Sequence, residues 1–363
     1  MPSRGIARDF DWPMMLIVLI VSGIGVVQIF SATRGTAFQD AWWKQIIYIG
    51  MGLILMWIVT AIDYHNLIDR ANILYAVAMA GLLAVLVIGK TVLGGKRWIP
   101  VPGGFNLQVS EFAKLVILLI VARQLARFST DVLELRDLLR IVGLVAIPMV
   151  LIAVEPDLGT ALTYLPILLI GVFLAGLRWQ YWASIAVVAV VLVPLGFHFM
   201  KDYQRNRILT FLDPDRDPRG SGYQLIQSRI SVGAGGMWGK GVTKGSQTQL
   251  GFLPIPHTDF IFSAFAEEHG FVGVIVVLSM YFVLLMQIVQ NAQTAPDRAG
   301  MFVCMGVAAL LLFHLLVNVG MVVGRMPVTG IPLPLMSYGG SSLWSVFMML
   351  GLVNNVRIRR FVN

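Results

Sequence analysis

Histidine and cysteine are scarce in this chain. Its 363 residues include five histidines and a single cysteine, Cys304, and none of them falls at the spacing of a zinc site. One thiol forms no internal disulfide and says nothing about redox compartment. A Walker phosphate loop and a dinucleotide fingerprint are both missing, which argues against ATP-driven transport by this chain alone. No Ser/His/Asp arrangement can be assembled. Charge is thin as well, since only 13% of residues are Asp, Glu, Lys or Arg. Internal repeats, coiled-coil heptads and low-complexity linkers are absent from the sequence.

What is abundant is apolar. The chain is 57% hydrophobic, with 36 glycines and 18 methionines, more apolar surface than a soluble domain of this length needs. Apolar runs of about 20 residues, separated by short charged links, read as membrane-spanning helices. They lie near 13–31, 45–62, 71–90, 110–127, 138–154, 160–176, 181–199, 260–289, 300–323 and 340–356. The expectation is an all-α integral membrane protein of about ten transmembrane helices, one polytopic domain over 1–363. The first run, from Pro13 to Phe30 after Arg4 and Arg8, is long for the apolar region of a signal peptide. More spans follow it, which favours a retained helix.

An even number of spans puts both termini on one side. With that side cytoplasmic, inner links and tails carry about twice the basic residues of the short outer links (Arg70, Arg123, Arg136, Arg178 and Arg357 against Lys44, Lys90 and Arg325, for example), as the positive-inside rule requires. The net charge of +8 then reports topology and anionic lipid rather than nucleic acid. The long polar segment 201–259 falls outside the cell membrane as a large extracytoplasmic loop. Its Asp213 to Gly222 stretch is turn-forming. Tyr223, Ile226 and Ile230 follow at helical spacing and predict a short amphipathic helix. The Gly-rich run from Gly233 to Gly241 can bend sharply.

Five constellations carry potential chemistry. Asp259, in His257-Thr258-Asp259-Phe260, ends the polar segment just before an apolar run. It reads either as a helix N-cap or as a general base or metal-binding carboxylate at the membrane face. Gln108-Val109-Ser110-Glu111-Phe112-Ala113-Lys114 places Glu111 and Lys114 on one helix face. The pair is a structural intramembrane ion pair, a snorkelling lysine with a capping-box-like start, or a cavity pair that orients a polar substrate or tunes the base. Lys96-Arg97-Trp98 offers two cations beside an aromatic, suited to phosphate and sugar, although interfacial Trp with snorkelling cations is common. Glu155-Pro156-Asp157-Leu158-Gly159-Thr160 reads as a turn between spans or as part of the same site. Pro327 to Pro334, followed by Ser337 to Ser342, cannot be regular helix, and at membrane depth such backbone is tolerated only when buried in protein or lining a cavity. Four of the five converge on the outer face and the fifth sits level with them. The cavity they imply is polar, partly cationic and carboxylate-bearing, and an anionic lipid-linked substrate fits it.

These stretches resemble the SEDS glycosyltransferases, the shape, elongation, division and sporulation family. The resemblance rests on Lys96 to Trp98, Gln108 to Lys114, Glu155 to Thr160, Gly222-Tyr223-Gln224 through Ser228, Gly239 to Gly241, His257 to Phe262 with Ala266-Glu267-Glu268, and Pro327 to Ser342. Gln247 to Pro254 is similar to the elongation form rather than the division form. Val109 departs from the pattern, where the family usually has Pro.

The resemblance implies an inner-membrane enzyme that polymerises lipid II into β-1,4 glycan strands during cell elongation, in partnership with a class B penicillin-binding protein as transpeptidase. It implies a catalytic Asp259, with Glu111 and Lys114 as the polar pair of the central cavity. Substrate contacts are then expected from Lys96, Arg97, Trp98, Gln108, Ser110, Asp157, Arg205, Gln224, Lys240, His257, Thr258 and Ser337. A single inverting displacement needs one base and no enzymic nucleophile. A divalent cation such as Mg²⁺ is admitted by this chemistry, since oxygen ligands suit it, and no organic cofactor is called for. Two other classes stay open. A lipid II flippase would also use broken helices and an intramembrane ion pair, and a non-catalytic scaffold would need its partner-facing helices but not its cavity residues.

Overall fold

A computed structural model describes residues 8–92, 95–101, 105–128, 133–217 and 220–360. Helix α1 (Trp12–Thr33) begins where Asp11 accepts the Met14 amide at 3.2 Å and Pro13 takes the first turn, where its missing N–H costs nothing. Next come α2 (Ala41–Ala61), the short α3 (Tyr64–Asp69) and α4 (Ala71–Ile88). Strands β1 (Lys90–Val92), β2 (Gly95–Val101) and β3 (Phe105–Leu107) then form an antiparallel sheet in that order, with Trp98 opposite Lys90 and Ile99 opposite Leu107. The all-α expectation therefore gains one small sheet. Its signal is two strand-forming runs on either side of Gly94-Gly95, a hairpin pattern that the search for long apolar runs passes over.

The chain continues through α5 (Val109–Ala126), α6 (Leu135–Val154), α7 (Leu158–Leu162), α8 (Leu165–Leu174) and α9 (Trp179–Phe199). The segment expected as a large loop is mostly helical. It contains α10 (Asp202–Leu212), a 3-10 turn at Pro214–Arg216, α11 (Ser221–Ala234) and α12 (Ser246–Gln249). The amphipathic helix expected near Tyr223 is thus present and longer than its apolar spacing suggested. Last come α13 (Ile261–Gln293), α14 (Arg298–Val322) and α15 (Gly340–Arg359).

Among the described residues, six helices are long and apolar enough to cross a membrane: α1, α2, α4, α6, α13 and α14. Helices also occupy the other four expected spans. α5 carries Glu111, Lys114 and Arg123, and the α7–α8 pair is interrupted near Thr163.

Small residues set the closest helix contacts. α15 is buried along nearly its whole length and packs on α2. A Cβ at Gly52 would lie 2.6 Å from the Phe347 ring, and one at Gly351 would lie 2.7 Å from the Met56 carbonyl oxygen. Lipid gives no hydrophobic drive between helices, so such van der Waals proximity is what favours the pair. At the bundle end where α1 begins and α15 ends, Asp11 is 1% exposed. Its carboxylate accepts from Asn291 Nδ2 at 2.8 Å and Arg357 Nη1 at 2.9 Å, while its own amide donates to Asn354 Oδ1 at 2.9 Å. A buried charge needs such partners.

Two irregular stretches go deep. Helix α13 is broken at Gly270, where φ is 65° and ψ −168°, a region open essentially to glycine alone. The Gly-rich loop after α11 repairs the break. Gly236 and Met237 carbonyls accept the amides of Phe271 and Val272 at 2.9 and 3.1 Å, and the amides of Lys240 and Gly241 donate to the carbonyls of Glu267 and Glu268 at 3.0 and 2.9 Å. The loop comes so close that a Cβ on Gly239 would sit 2.2 Å from the Glu268 oxygen. The second stretch, 325–339, is the expected non-helical loop. It reaches the middle of α13, where Tyr281 donates its hydroxyl to the Pro334 carbonyl, and α1, where a Cβ on Gly25 would meet Met336 Cα at 2.7 Å.

Gly239→Ala and Gly270→Ala are each expected to destabilise the protein by about 1–3 kcal/mol, read as earlier melting in detergent. Gly143→Ala, on α6 with open space around it, should be neutral or stabilising by up to about 1 kcal/mol. Equal melting of the three variants would remove the stitched break from the account of stability.

Candidate active site

Asp259 lies in the turn that leads into α13. Phe260, not Asp259, is the N-cap of that helix, and no side chain caps it, so the capping reading is not realised. The turn is held through its backbone instead. Asn318 Nδ2 on α14 donates to the Asp259 carbonyl at 3.0 Å and to the Ile331 carbonyl at 2.8 Å. Ser337 donates to the Thr258 carbonyl at 2.7 Å, and the Tyr338 amide donates to the His257 carbonyl at 2.9 Å. The positive φ of Gly330 brings bare backbone beside the carboxylate, so that a Cβ there would be 3.5 Å from Asp259 Oδ2. Among the described residues no group donates a hydrogen bond to the carboxylate itself.

Three charges act on Asp259: Arg207 from α10, Asp157 before α7 and Arg97 from β2. Burial pushes its carboxyl up to about 6. Arg207 and Arg97 oppose that rise, and Asp157 adds to it. A carboxyl that titrates near 6 is ionised at neutral pH yet more basic than a free one, which suits a general base. Arg207 is exposed on α10 and donates to the Thr329 carbonyl at 3.4 Å, next to Gly330.

The α6–α7 turn joins the same group. Asp157 is the N-cap of α7, where its Oδ1 accepts the Thr160 amide at 3.2 Å. Its Oδ2 lies 3.4 Å from Gln108 Nε2 and 3.6 Å from Arg97 Nε. Arg97 also donates to the carbonyls of Glu155 and Pro156. Gln108 is tied to α15, its amide donating to Ser341 Oγ at 3.0 Å. A turn and a site are therefore both present here.

Deeper in the bundle, Lys114 Nζ pairs with Glu111 Oε1 at 2.7 Å, with the lysine 1% and the glutamate 4% exposed. Gln108, the N-cap of α5, makes no side-chain cap, so the capping-box alternative fails and the pair is buried and internal. Tyr164 donates to the Ser110 carbonyl at 2.7 Å, and Ser345 to the Glu111 carbonyl at 2.9 Å. His314 on α14 is in electrostatic reach of Lys114. Among the described residues, the buried polar atoms without a hydrogen-bond partner include Ser110 Oγ on α5, Glu155 Oε1 after α6, Asn318 Oδ1 on α14 and Thr329 Oγ1 in the loop before α15. Native proteins rarely leave such atoms unpaired away from water or ligand.

Other expected residues stand apart or are already engaged. Lys240 Nζ bonds Ser246 Oγ at 2.7 Å and Glu267 Oε1 at 2.9 Å. Glu267 also accepts the Gln247 and Thr248 amides at 2.8 and 3.1 Å, so this cluster organises its own loop. Arg205 lies over the Phe197 ring at 5.2 Å and donates to the Phe197 carbonyl at 3.3 Å. His257 sits against Phe38, with ring centroids 4.9 Å apart, and burial holds its imidazole below the usual range. Ser337 Oγ accepts the Leu333 amide at 2.9 Å as well as donating, a structural stitch. Lys96 is exposed and Trp98 half-buried on β2, and Gln224 lies on α11. The sequence reading passed over Arg207, Asn318 and Tyr164. Asn318 had a signal, an amide inside an apolar run. Arg207 did not, because only the helical phase of α10 separates it from Arg205.

The same architecture recurs in known proteins. The peptidoglycan glycosyltransferase RodA of Treponema pallidum is 33% identical over 435 residues, which cover 99% of this chain and 100% of the relative. The peptidoglycan glycosyltransferase MrdB of Escherichia coli is 38% identical over 354 residues, covering 96% and 94%. Among solved structures, a chain from a peptidoglycan synthase complex that coordinates polymerization and crosslinking superposes with a TM-score of 0.84 at 34% identity, covering 98% of this chain and 99% of the other. The rod shape determining protein RodA of Thermus thermophilus does so with a TM-score of 0.72 at 29% identity, covering 97% and 98%. A family model described as FTSW_RODA_SPOVE, cell cycle protein, matches residues 11–361. With the model spanning nearly the whole sequence and the relatives matched end to end, this chain belongs to the FtsW/RodA/SpoVE family.

Proposed function

We propose that this chain is a peptidoglycan glycosyltransferase that polymerises lipid II, working in cell elongation. The observation that carries the reading is the Asp259 carboxylate: it takes no hydrogen bond among the described residues, lies within the field of Arg207 and Arg97, and is pushed up by burial to about 6. The relatives named as peptidoglycan glycosyltransferases support it.

In the reaction, Asp259 takes the proton from the 4-hydroxyl of the acceptor GlcNAc. That oxygen attacks the anomeric carbon of the donor MurNAc, and the bond to undecaprenyl pyrophosphate breaks with its electron pair leaving on the phosphate oxygen. The axial donor gives a β-1,4 linkage by one inversion. Arg97 and Arg207 are placed to stabilise the charge that develops on the leaving group, the type of electrostatic help that counts most in such steps. Glu111 and Lys114 hold the inner wall in one arrangement. A divalent cation such as Mg²⁺, if bound here, would neutralise charge developing on the leaving pyrophosphate. Among the described residues no three His, Cys, Asp or Glu side chains gather into a cage.

The positive-inside pattern supports cytoplasmic termini and a site on the outer face of the inner membrane, where lipid II is polymerised. A class B penicillin-binding protein is the partner that fits, since the related complex couples polymerization to crosslinking.

Glycan polymerisation from purified lipid II, by the chain co-purified with its cognate penicillin-binding protein, is the test. Asp259→Asn should fold and lose about 10²-fold or more of turnover, the contribution of a general base. Product from that variant at the wild-type rate would remove the base, and lipid II transfer across vesicles without polymer would favour a flippase. The wild-type rate should rise with pH through about 6, because Asp259 must be ionised and burial raises it to about 6. Arg207→Gln removes a charge that lowers this carboxyl, so its acid limb should move to higher pH. An unmoved limb would separate Arg207 from the base.

A further inference from the structure

One carboxyl in the site has no part in that scheme. Glu155 closes α6, its amide donating to the Leu151 and Ile152 carbonyls at 3.3 and 3.1 Å. The residue is 2% exposed. Its Oε1 has no hydrogen-bond partner among the described residues. The charged and titratable groups that face it are Arg97 of β2, Asp157 at the start of α7 and, more distantly, Tyr164. Arg97 uses its guanidinium on the carbonyls of Glu155 and Pro156 and on the Asp157 carboxylate. Tyr164 gives its hydroxyl to Ser110. A buried carboxylate with no donor and an anionic neighbour is strongly disfavoured, and the usual resolution is that it keeps its proton.

Burial, with Asp157 adding to it and Arg97 opposing, pushes the Glu155 carboxyl up to about 8. Arg97 and Asp157 act on Glu155 and on Asp259 alike, so the two carboxyls lie in the field of the same two charges. Their environments push them to different values, a pattern that separates acid from base.

We propose that Glu155 is a neutral carboxylic acid whose O–H is held as a hydrogen-bond donor for a phosphate oxygen of the leaving pyrophosphate. This rests on the glycosyltransferase reading and names a group that reads the donor's phosphates. The neutral acid gives a donor without adding negative charge beside an anion. Once ionised it offers only acceptors and repels that anion. No bond is made or broken at Glu155, and its proton stays on the carboxyl.

Polymerisation and inorganic pyrophosphate binding, both by the co-purified complex between pH 6.5 and 9.5, test this. The wild-type rate should fall about tenfold per pH unit above about 8, as the neutral fraction does. Glu155→Gln keeps a neutral donor, so it should stay within about threefold of wild type at pH 7 and lose the alkaline limb. Glu155→Leu should lose about 10²-fold or more, the cost of removing one charge-stabilising donor. Pyrophosphate affinity should weaken from pH 7 to 9 more in wild type than in Glu155→Gln, a comparison that cancels the anion's own titration. A folded but inactive Glu155→Gln, an alkaline limb that survives in it, or full activity in Glu155→Leu would overturn the proposal. Pyrophosphate binding needs no turnover. A chain that binds it with this pH dependence but makes no polymer would defeat the glycosyltransferase reading and leave the role of Glu155 as a phosphate donor standing.

Discussion

Hydrocarbon supplies no hydrogen bonds, so every backbone group that leaves a helix inside the membrane must find its partner in the protein. That constraint organises this molecule. Helix α13 can break at Gly270 only because the loop after α11 returns two acceptors and two donors to the freed groups. The loop can come that close only because Gly239 and Gly270 have no side chains. The same rule governs the loop before α15. Its carbonyls at Ile331 and Pro334 are taken by Asn318 and Tyr281, side chains from two different helices. Asn318 also holds the Asp259 carbonyl, so the amide that satisfies the loop also fixes the turn that carries Asp259.

The site is built around imbalance. Glu267 and Glu268, deep in α13, are surrounded by donors: Lys240, Ser246, Thr248 and two amides for one, Ser31, Gln28 and the Thr243 amide for the other. They are structural. Asp259 and Glu155 differ, since no donor among the described residues reaches the Asp259 carboxylate and Glu155 has an orphaned oxygen. Full satisfaction rigidifies a polar network, whereas unpaired groups persist where a ligand completes them. The contrast between four carboxylates of one bundle separates scaffold from site better than charge alone does.

Much of this was legible in the sequence. Hydrophobic runs located a helix in each expected span, and the proline series at Pro327 to Pro334 announced backbone that had to be buried. Asp259, Glu111 and Lys114 stood out because ionisable groups are costly near hydrocarbon. What stayed hidden depends on partners distant in sequence. Lys240 was expected at the substrate and Arg207 was not singled out, and only the fold shows that Glu267 engages the first while the second acts on Asp259. Asp259 looked like a cap because the helix start was visible and the neighbouring loop that fixes the turn was not. The sheet was missed because its strands are shorter than the window that finds spans.

The ties at Asp11 bear on how the protein is made. A chain leaves the ribosome from its N-terminus, so α1 enters the bilayer before α15. Yet Asp11, its N-cap, donates its amide to Asn354 and accepts from Arg357, some 343 and 346 positions later. Until the last helix is synthesised, a carboxylate built for burial has no cation, and α1 cannot settle against its final neighbours. The bundle therefore closes on itself only once α15 has emerged, rather than growing outward from a finished first half. A chain that stalls before α15 leaves the Asp11 carboxylate without the Arg357 guanidinium, an incompleteness that membrane quality control can read.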